Sequence, residues 1–260
     1  MKHVLAFLLF LLAASWSFAG AKEDVAPTGV LRATFLGTNP VQAHIDAKTG
    51  EITGIVPDLV KALAARLGLP YEIQPAANAA DIVKRLAEGR ADIGFMAYDE
   101  KRAREVDFSD SYALMFNAFV AKADSPIAAS AQVDRPGVKI AAVKGQTQEI
   151  VLSQTVKQGT MVLLDRKPDA VQLLGSGQAD VYAANRHDAE LVAQGSGGRL
   201  KVLPDNFLAV DQAVVTRRGE PARLAEVNRF IVDVRTDGTV QKAIAGSGIS
   251  GLAVARETHR

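Results

Sequence analysis

The residues of this 260-residue chain that could do chemistry are few, and their spacing suits recognition better than covalent catalysis. Cysteine is absent, which removes both a thiol nucleophile and any disulfide. Beyond His3 the histidines are His44, His187 and His259, and no His-x-x-x-His pair offers itself to zinc. No Gly-x-Ser-x-Gly elbow presents a serine. Gly175-Ser176-Gly177 and Gly195-Ser196-Gly197-Gly198 are rich in glycine, but neither runs on into Lys-Ser/Thr, so they read as loops and not as phosphate cradles. Gly145-Gln146-Thr147 is different. It lies between an apolar run and a helical stretch, where free backbone amides and the helix dipole favour an anion. Turns of this kind also arise for purely structural reasons.

The elements that must carry such a turn follow an α/β rhythm, with short runs rich in Val, Ile and Phe alternating with amphipathic stretches. Val30 to Leu36 reads as the first strand, and the polar segment Asp46 to Glu51 as a surface turn or hairpin before Ile52. Leu59, Leu63 and Leu67 recur every four residues, with Asp58 able to cap a helix and Gly68 placed to end it. Ile82, Val83 and Leu86 mark a second helix that stops at Gly89, and Asp92 to Met96 the next strand. Phe116 to Ala121 reads as a strand and Ser125 to Pro136 as loop. Val138 to Val143 then opens a new α/β run, with a short strand at Val162 to Leu164 and a helix opened by Pro168-Asp169. Leu224, Val227, Ile231 and Val234 keep helical spacing until Asp237-Gly238.

One pattern occurs twice. Leu86-Ala-Glu-Gly89-Arg-Ala91-Asp92-Ile93 is echoed by Leu174-Gly-Ser-Gly177-Gln-Ala179-Asp180-Val181, each copy encoding a helix end, a glycine cap and entry into a buried strand. Either helix-to-strand turns have converged on the same residues, or the chain holds two similarly built lobes.

Composition narrows the field. Lys plus Arg number 30 against 29 Asp plus Glu, and 48% of residues are hydrophobic. That excludes a disordered chain and gives no basic face for nucleic acid. Lys2 and His3 precede an apolar run from Val4 to Ala14, followed by small-x-small sites at Ser17-Phe18-Ala19 and Ala19-Gly20-Ala21. The run is shorter than the ~20 residues that span a bilayer, so residues 1–21 read as a secretory signal peptide. Without a cysteine near the site there is no lipid attachment point, and the expected mature chain is soluble and periplasmic.

Four motifs in order carry a resemblance: Gly54-Ile-Val-Pro-Asp58-Leu59; Gly89-Arg-Ala-Asp92 through Arg102 to Asp107-Phe108-Ser109-Asp110-Ser-Tyr112; Val143-Lys-Gly145-Gln146-Thr147; and Gly177-Gln-Ala-Asp180 to Asn185. On these the chain, from about Gly29 to about Gly246, resembles the family 3 extracellular solute-binding proteins, the polar amino-acid receptors of ABC importers. The resemblance implies a type II periplasmic-binding-protein fold: two α/β lobes joined by two crossover strands, here near Phe119 to Lys122 and Gln212 to Thr216. Lobe 1 is then expected at 26–118 plus 216–260 and lobe 2 at 122–212, with ligand in the cleft between them.

The resemblance also implies the site. Arg102 stands where the family's arginine holds a ligand carboxylate, and a planar guanidinium is matched to that group; the alternative is a solvated surface arginine like its neighbour Arg104. Phe95 and Ala97 would add main-chain amides, and Gln146 and Thr147 would contribute from the second lobe. Asn185 replaces the family's ammonium-binding aspartate, and the segment containing Asn39 and Gln42 lacks its stacking aromatic. Both departures favour a small carboxylate, or an amino acid held differently, with Asn39, Gln42 and Asn185 as neutral polar contacts. Loop or cap roles remain open for Asn39 and Gln42. The expected protein is a monomeric receptor, not an enzyme, with no cofactor or metal and an ABC permease as partner. The alternatives are a periplasmic lyase or dehydratase of the same fold, and a sensing or accessory binding protein.

Overall fold

The computed structural model describes residues 20–256, so the expected signal peptide at 1–21 lies almost wholly outside the described residues. In chain order the strands are β1 (Leu31–Leu36), β2 (His44–Ile45), β3 (Ile52–Thr53), β4 (Tyr71–Ala76), β5 (Ile93–Ala97), β6 (Val106–Lys122), β7 (Lys139–Val143), β8 (Thr160–Leu164), β9 (Val181–Asn185), β10 (Leu200–Val202), β11 (Leu208–Arg217) and β12 (Leu252–Val254). The helices used below are α1 (Ile55–Leu67), α2 (Ala79–Ala87), α3 (Thr147–Thr155), α4 (Ala170–Gly175), α5 (Arg186–Gly195), α6 (Pro221–Thr236) and α7 (Thr239–Ser247). Strands and helices alternate along most of the chain, and the fold is α/β as the periodicity implies. Among the described residues no helix is long and apolar enough to cross a membrane.

The chain forms two compact units. The first takes in residues through Ala113, Asp211–Gly248 and the stretch from Val254; the second takes in Leu114–Val210 and Ile249–Ala253. In the first unit the strand order is β4-β1-β5-β11, with β4, β1 and β5 mutually parallel and β11 antiparallel to β5. In the second it is β6-β9-β7-β8, with β7, β8 and β9 parallel and β6 antiparallel to β9. Val56, Leu59, Val60, Leu63 and Leu67 turn one buried face of α1 to the first core. In the second, Leu173 and Leu174 of α4 pack with Val120, Ala141, Tyr182 and Ala184.

The repeated motif has the same geometry in both units. Gly89 and Gly177 each take a left-handed conformation, with φ of 66° and 70°. Beyond them, Asp92 accepts the Arg32 amide at 2.9 Å while its own amide donates to the Arg32 carbonyl at 2.8 Å. Asp180 does the same with Lys139, at 2.8 and 2.9 Å. Even the basic side chains agree: Arg32 Nη1 donates to the Gly89 carbonyl at 2.7 Å, and Lys139 Nζ to that of Gly177 at 3.1 Å. A turn sequence alone does not require a clamp on a strand some 40 to 60 residues away in the chain, so the echo reflects two similarly built units.

The chain passes between units at Ala113/Leu114 and Val210/Asp211, inside β6 and β11, the two strands that contain the expected crossover segments Phe119 to Lys122 and Gln212 to Thr216. Phe119 to Ala121 pair with β9, and Gln212 to Thr216 with β5. Two expectations are corrected, the bounds of one strand and one helix cap. The strand expected at Phe116 to Ala121 is the end of a continuous 17-residue strand. Asp58 does not cap α1: the helix starts at Ile55 after Gly54, whose φ of 121° suits only glycine, and Asp58 sits in the first turn. Gly68, at φ 61°, ends the helix as read.

Replacing Asp92 by Asn should cost about 3 kcal/mol, because the carboxylate is 1% exposed and Arg32 would lose its partner while remaining three-quarters buried. Asp180→Asn, which weakens a single exposed amide bond, should cost about 1 kcal/mol or less. Urea unfolding of the two variants checks the order.

Candidate functional site

In open α/β sheets ligands meet the carboxyl ends of parallel strands. In the first unit that end of β5 is Ala97, and the chain after it is tied down at once. Asp99 Oδ1 accepts the amides of Lys101 and Arg102 at 3.0 and 3.1 Å, which shapes the single 3-10 turn Arg102–Arg104. Arg102 is half-buried, and its Nη1 donates to the Ala97 carbonyl at 3.2 Å. Among the described residues Arg102 has no carboxylate partner, whereas Arg32, Arg66 and Arg85 are each ion-paired. A guanidinium fixed by one bond and otherwise unmatched can take a carboxylate side-on. Its neighbour Arg104 is exposed and contributes a carbonyl that accepts Arg218 Nη1.

Ala97 lies two residues beyond Phe95, the last residue of β5 in register with β1. Phe95 stands opposite Phe35 on one side and Val214 on the other, and its buried ring meets Tyr112 edge-on at 6.0 Å. It is a ladder and core residue. Burial pushes the Tyr112 hydroxyl far above its ordinary pKa, so this neighbour stays neutral.

Gln42 is 2% exposed and bridges the same two strands: its Oε1 accepts the Leu36 amide at 2.9 Å, and its Nε2 reaches the Phe95 carbonyl at 3.4 Å. A side-chain amide thus substitutes for a ladder rung where β1 and β5 part. Asn39 holds the turn before it, accepting the Val41 amide at 3.1 Å while its own amide donates to the Leu36 carbonyl at 3.0 Å. Asn39 Oδ1 and both ends of the Gln42 amide are thus engaged in the loop and the strands beside it, as the loop or cap alternative expects.

In the second unit the corresponding carboxyl ends are those of β7 and β9. After β7 come Gly145, at φ 74°, Gln146 as the N-terminal flanking residue of α3, and Thr147 as its first residue. Gln146 makes no side-chain cap. Glu149 reaches back from the first turn, its Oε2 accepting the Gly145 amide at 3.0 Å and its Oε1 the Ser153 hydroxyl at 3.0 Å. One carboxylate therefore already lies at this helix start, and an anion there must use the Gln146 and Thr147 side.

Asn185, the last residue of β9, caps α5: its Oδ1 accepts the Asp188 amide at 2.8 Å and its Nδ2 donates to Asp188 Oδ2 at 3.0 Å. The same carboxylate oxygen takes Lys167 Nζ at 2.6 Å. The Asn185 Oδ1 and one Nδ2 hydrogen are therefore engaged within the helix start. The Asp188 pair escaped sequence reasoning, although Asn185-x-x-Asp188 is a legible cap signature. Burial, with the Asp188 charge second, pushes the Tyr182 hydroxyl up to about 12.

A cavity of about 270 Å³ lies elsewhere in the first unit, lined by Arg32, Thr34, Glu72, Gln74, Arg85 and Arg90. It opens near the start of β1, away from Ala97, and Arg32, Arg85 and Arg90 are already paired with Asp92, Asp81 and Glu88. Among the described residues no group of His, Cys, Asp or Glu could hold a metal.

Comparison with known proteins gives a consistent picture. Residues 31–246 match the model of the bacterial extracellular solute-binding proteins, family 3. The chain is 26% identical over 230 residues to the L-cystine-binding protein TcyJ of Escherichia coli (strain K12), covering 87% of this chain and 85% of that protein. It is 26% identical over 195 residues to the ABC transporter glutamine-binding protein GlnH of Bacillus subtilis (strain 168), covering 73% and 70%. Among solved structures it superposes with a TM-score of 0.67 and 26% identity on the ancestral amino acid-binding protein AncCDT-1, a precursor of cyclohexadienyl dehydratase, over 86% of this chain and 97% of that one.

Asn185→Ala should lower stability by about 1 kcal/mol through loss of the α5 cap. Thermal denaturation of the ligand-free protein is the check; an unchanged midpoint would show that the cap is dispensable.

Proposed function

The chain belongs to the bacterial extracellular solute-binding proteins, family 3, and from that premise we propose that it is a periplasmic receptor that captures a small carboxylate-bearing ligand, an amino acid or related organic acid, for the permease of an ABC importer. The observation that carries the reading is Arg102, whose guanidinium is positioned at the carboxyl end of β5 by Asp99 and Ala97 and has no acid of its own among the described residues. Ala97, past the last β1 partner, is the main-chain donor we assign beside it. Gln146 and Thr147, at the start of α3 in the second unit, offer a helix N-terminus suited to an anion. Asn39 and Asn185 are left out of the set because their side chains are held locally, and the Phe95 ring serves the core, which leaves only its main chain for the site.

The relatives' names support a receptor more than an enzyme: TcyJ and GlnH are binding proteins, and AncCDT-1 is an amino acid-binding protein that preceded a dehydratase. A thermal-shift screen against amino acids, hydroxy acids, keto acids and dicarboxylates identifies the ligand class, since binding stabilises the folded state by mass action. Calorimetric saturation by a compound recovered unchanged supports the receptor, and recovery of a product supports the lyase.

Arg102→Ala should weaken binding of the compound so identified by about a hundredfold, because a desolvated carboxylate loses its charged partner. The ligand-free melting temperature should hardly move. Unchanged affinity would remove Arg102 from the site and the proposal with it.

A further inference from the structure

The row of side chains that β6 turns toward α3 opens with a polar residue. Phe119 and Ala121 pack with Leu152 of α3 in one buried cluster, and strand alternation puts Asn117, two residues earlier, on the same face. Asn117 is 0% exposed, and its counterpart on the helix, Gln148, 4%. A fold tolerates a buried amide when its hydrogen-bonding groups are matched. Those of Asn117 are: Oδ1 accepts Gln148 Nε2 at 2.7 Å, while Nδ2 donates to the carbonyls of Met115 at 3.3 Å and Leu208 at 3.4 Å. Its own carbonyl accepts the Phe207 amide at 3.0 Å, and the Phe207 ring stacks on Phe119 with centroids 4.2 Å apart.

The points joined in this way belong to different parts of the second unit. Gln148 follows Thr147 in the first turn of α3, where the amides have no intrahelical acceptor. Met115 comes directly after Leu114, the first residue of the second unit along β6. Leu208 is the first residue of β11, which leaves the second unit after Val210. One side chain without surface of its own therefore ties the anion-suited end of α3 to both strands on which the chain passes between units. An apolar residue in that row would pack equally well against Leu152 and make none of these ties.

We infer that Asn117 is a positioning residue of the receptor: through Gln148 it holds the start of α3 in one arrangement relative to β6 and β11, so that ligand oxygen meets a preformed helix end. This rests on the receptor reading above. Being fully buried, Asn117 acts through Gln148 and not by contact with ligand. Groups already held in place lose less freedom on binding, and that is the source of the affinity they add.

Single-amide hydrogen exchange of the ligand-free protein tests the link. Gln148→Met keeps the side-chain length and removes the donor. It should speed exchange at Phe207 about tenfold, the effect of one hydrogen bond on local opening, and leave Leu203 unchanged, although the Leu203 amide bonds the Phe119 carbonyl of the same strand at 2.9 Å. No change at Phe207, or equal acceleration at both amides, overturns the assignment. Affinity is the second readout, taken by calorimetry with the tightest binder among the amino acids, hydroxy acids, keto acids and dicarboxylates. Gln148→Met and Asn117→Ala should each weaken binding about tenfold at a temperature where both are folded, and the double variant no further, because each removes the same link. Additive losses, which show Gln148 acting on ligand by itself, overturn the assignment, and so does unchanged affinity in Gln148→Met. If Asn117→Ala does not fold, the two measurements on Gln148→Met decide. Binding that is weakened by Arg102→Ala and untouched by Gln148→Met leaves the receptor standing and removes this inference alone; a wild type that binds none of these compounds removes both.

Discussion

Asp92 is almost wholly buried, and it is tolerable there because it receives a backbone amide and two guanidinium donors from Arg32. That arrangement locks the start of β1 to the start of β5, and a parallel pair fixed at one end carries its register to the other. The position of Ala97, and hence of the Arg102 turn, is the downstream result. Asp180 imposes the same order on β7 and β9 with fewer bonds, so in each unit the carboxyl ends of the strands are set by a carboxylate at their amino ends.

Much of this was legible because its causes are local. Gly68 and Gly89 take left-handed conformations that other residues avoid, so a glycine after helical spacing marks the end of a helix. The twofold Leu-x-x-Gly-x-Ala-Asp pattern pointed to paired units because each of its residues has a defined job: buried leucine, left-handed glycine, clamping aspartate. Arg102 was reached through a resemblance and then given physical content by its lack of an acid partner. Other features depend on contacts remote in sequence. Nothing local distinguishes a 17-residue strand passing from one unit into another from two shorter strands with a break, so only the end of β6, Phe116 to Ala121, is legible as a strand. Gln42 looked like a polar loop residue because its role depends on Leu36 and Phe95, which become neighbours only once the sheet has formed. Asn185 was assigned by position, while its hydrogen bonds follow from Asp188 one turn on.

The distribution of charge separates architecture from recognition. Arg32, Arg66, Arg85, Arg186 and Arg223 are each matched by a nearby acid, and such pairs largely neutralise themselves. The cavity near Arg32 is therefore rich in arginine without being strongly attractive to anions. Arg102 is the contrasting case, anchored to the Ala97 carbonyl and, among the described residues, without an acid partner. A binding protein needs that state in its empty form: groups held in place whose interactions are completed only by the ligand.

The segment Ile249–Ala253 gives the second unit a piece of chain from the far C-terminal end. It fits closely, with the Phe116 amide donating to the Gly251 carbonyl at 2.8 Å, Gly251 at φ 72°, and a Cβ at that position meeting Arg186 Cβ at 2.6 Å. The second unit is consequently not a single cassette in the gene. Recombination that exchanged only the stretch between the two long strands would import a helix α5 shaped for one glycine-bearing segment and leave it facing another. Lobes of this architecture can trade places intact only if a short terminal stretch travels with the large internal one, which limits how freely specificity can be shuffled between relatives.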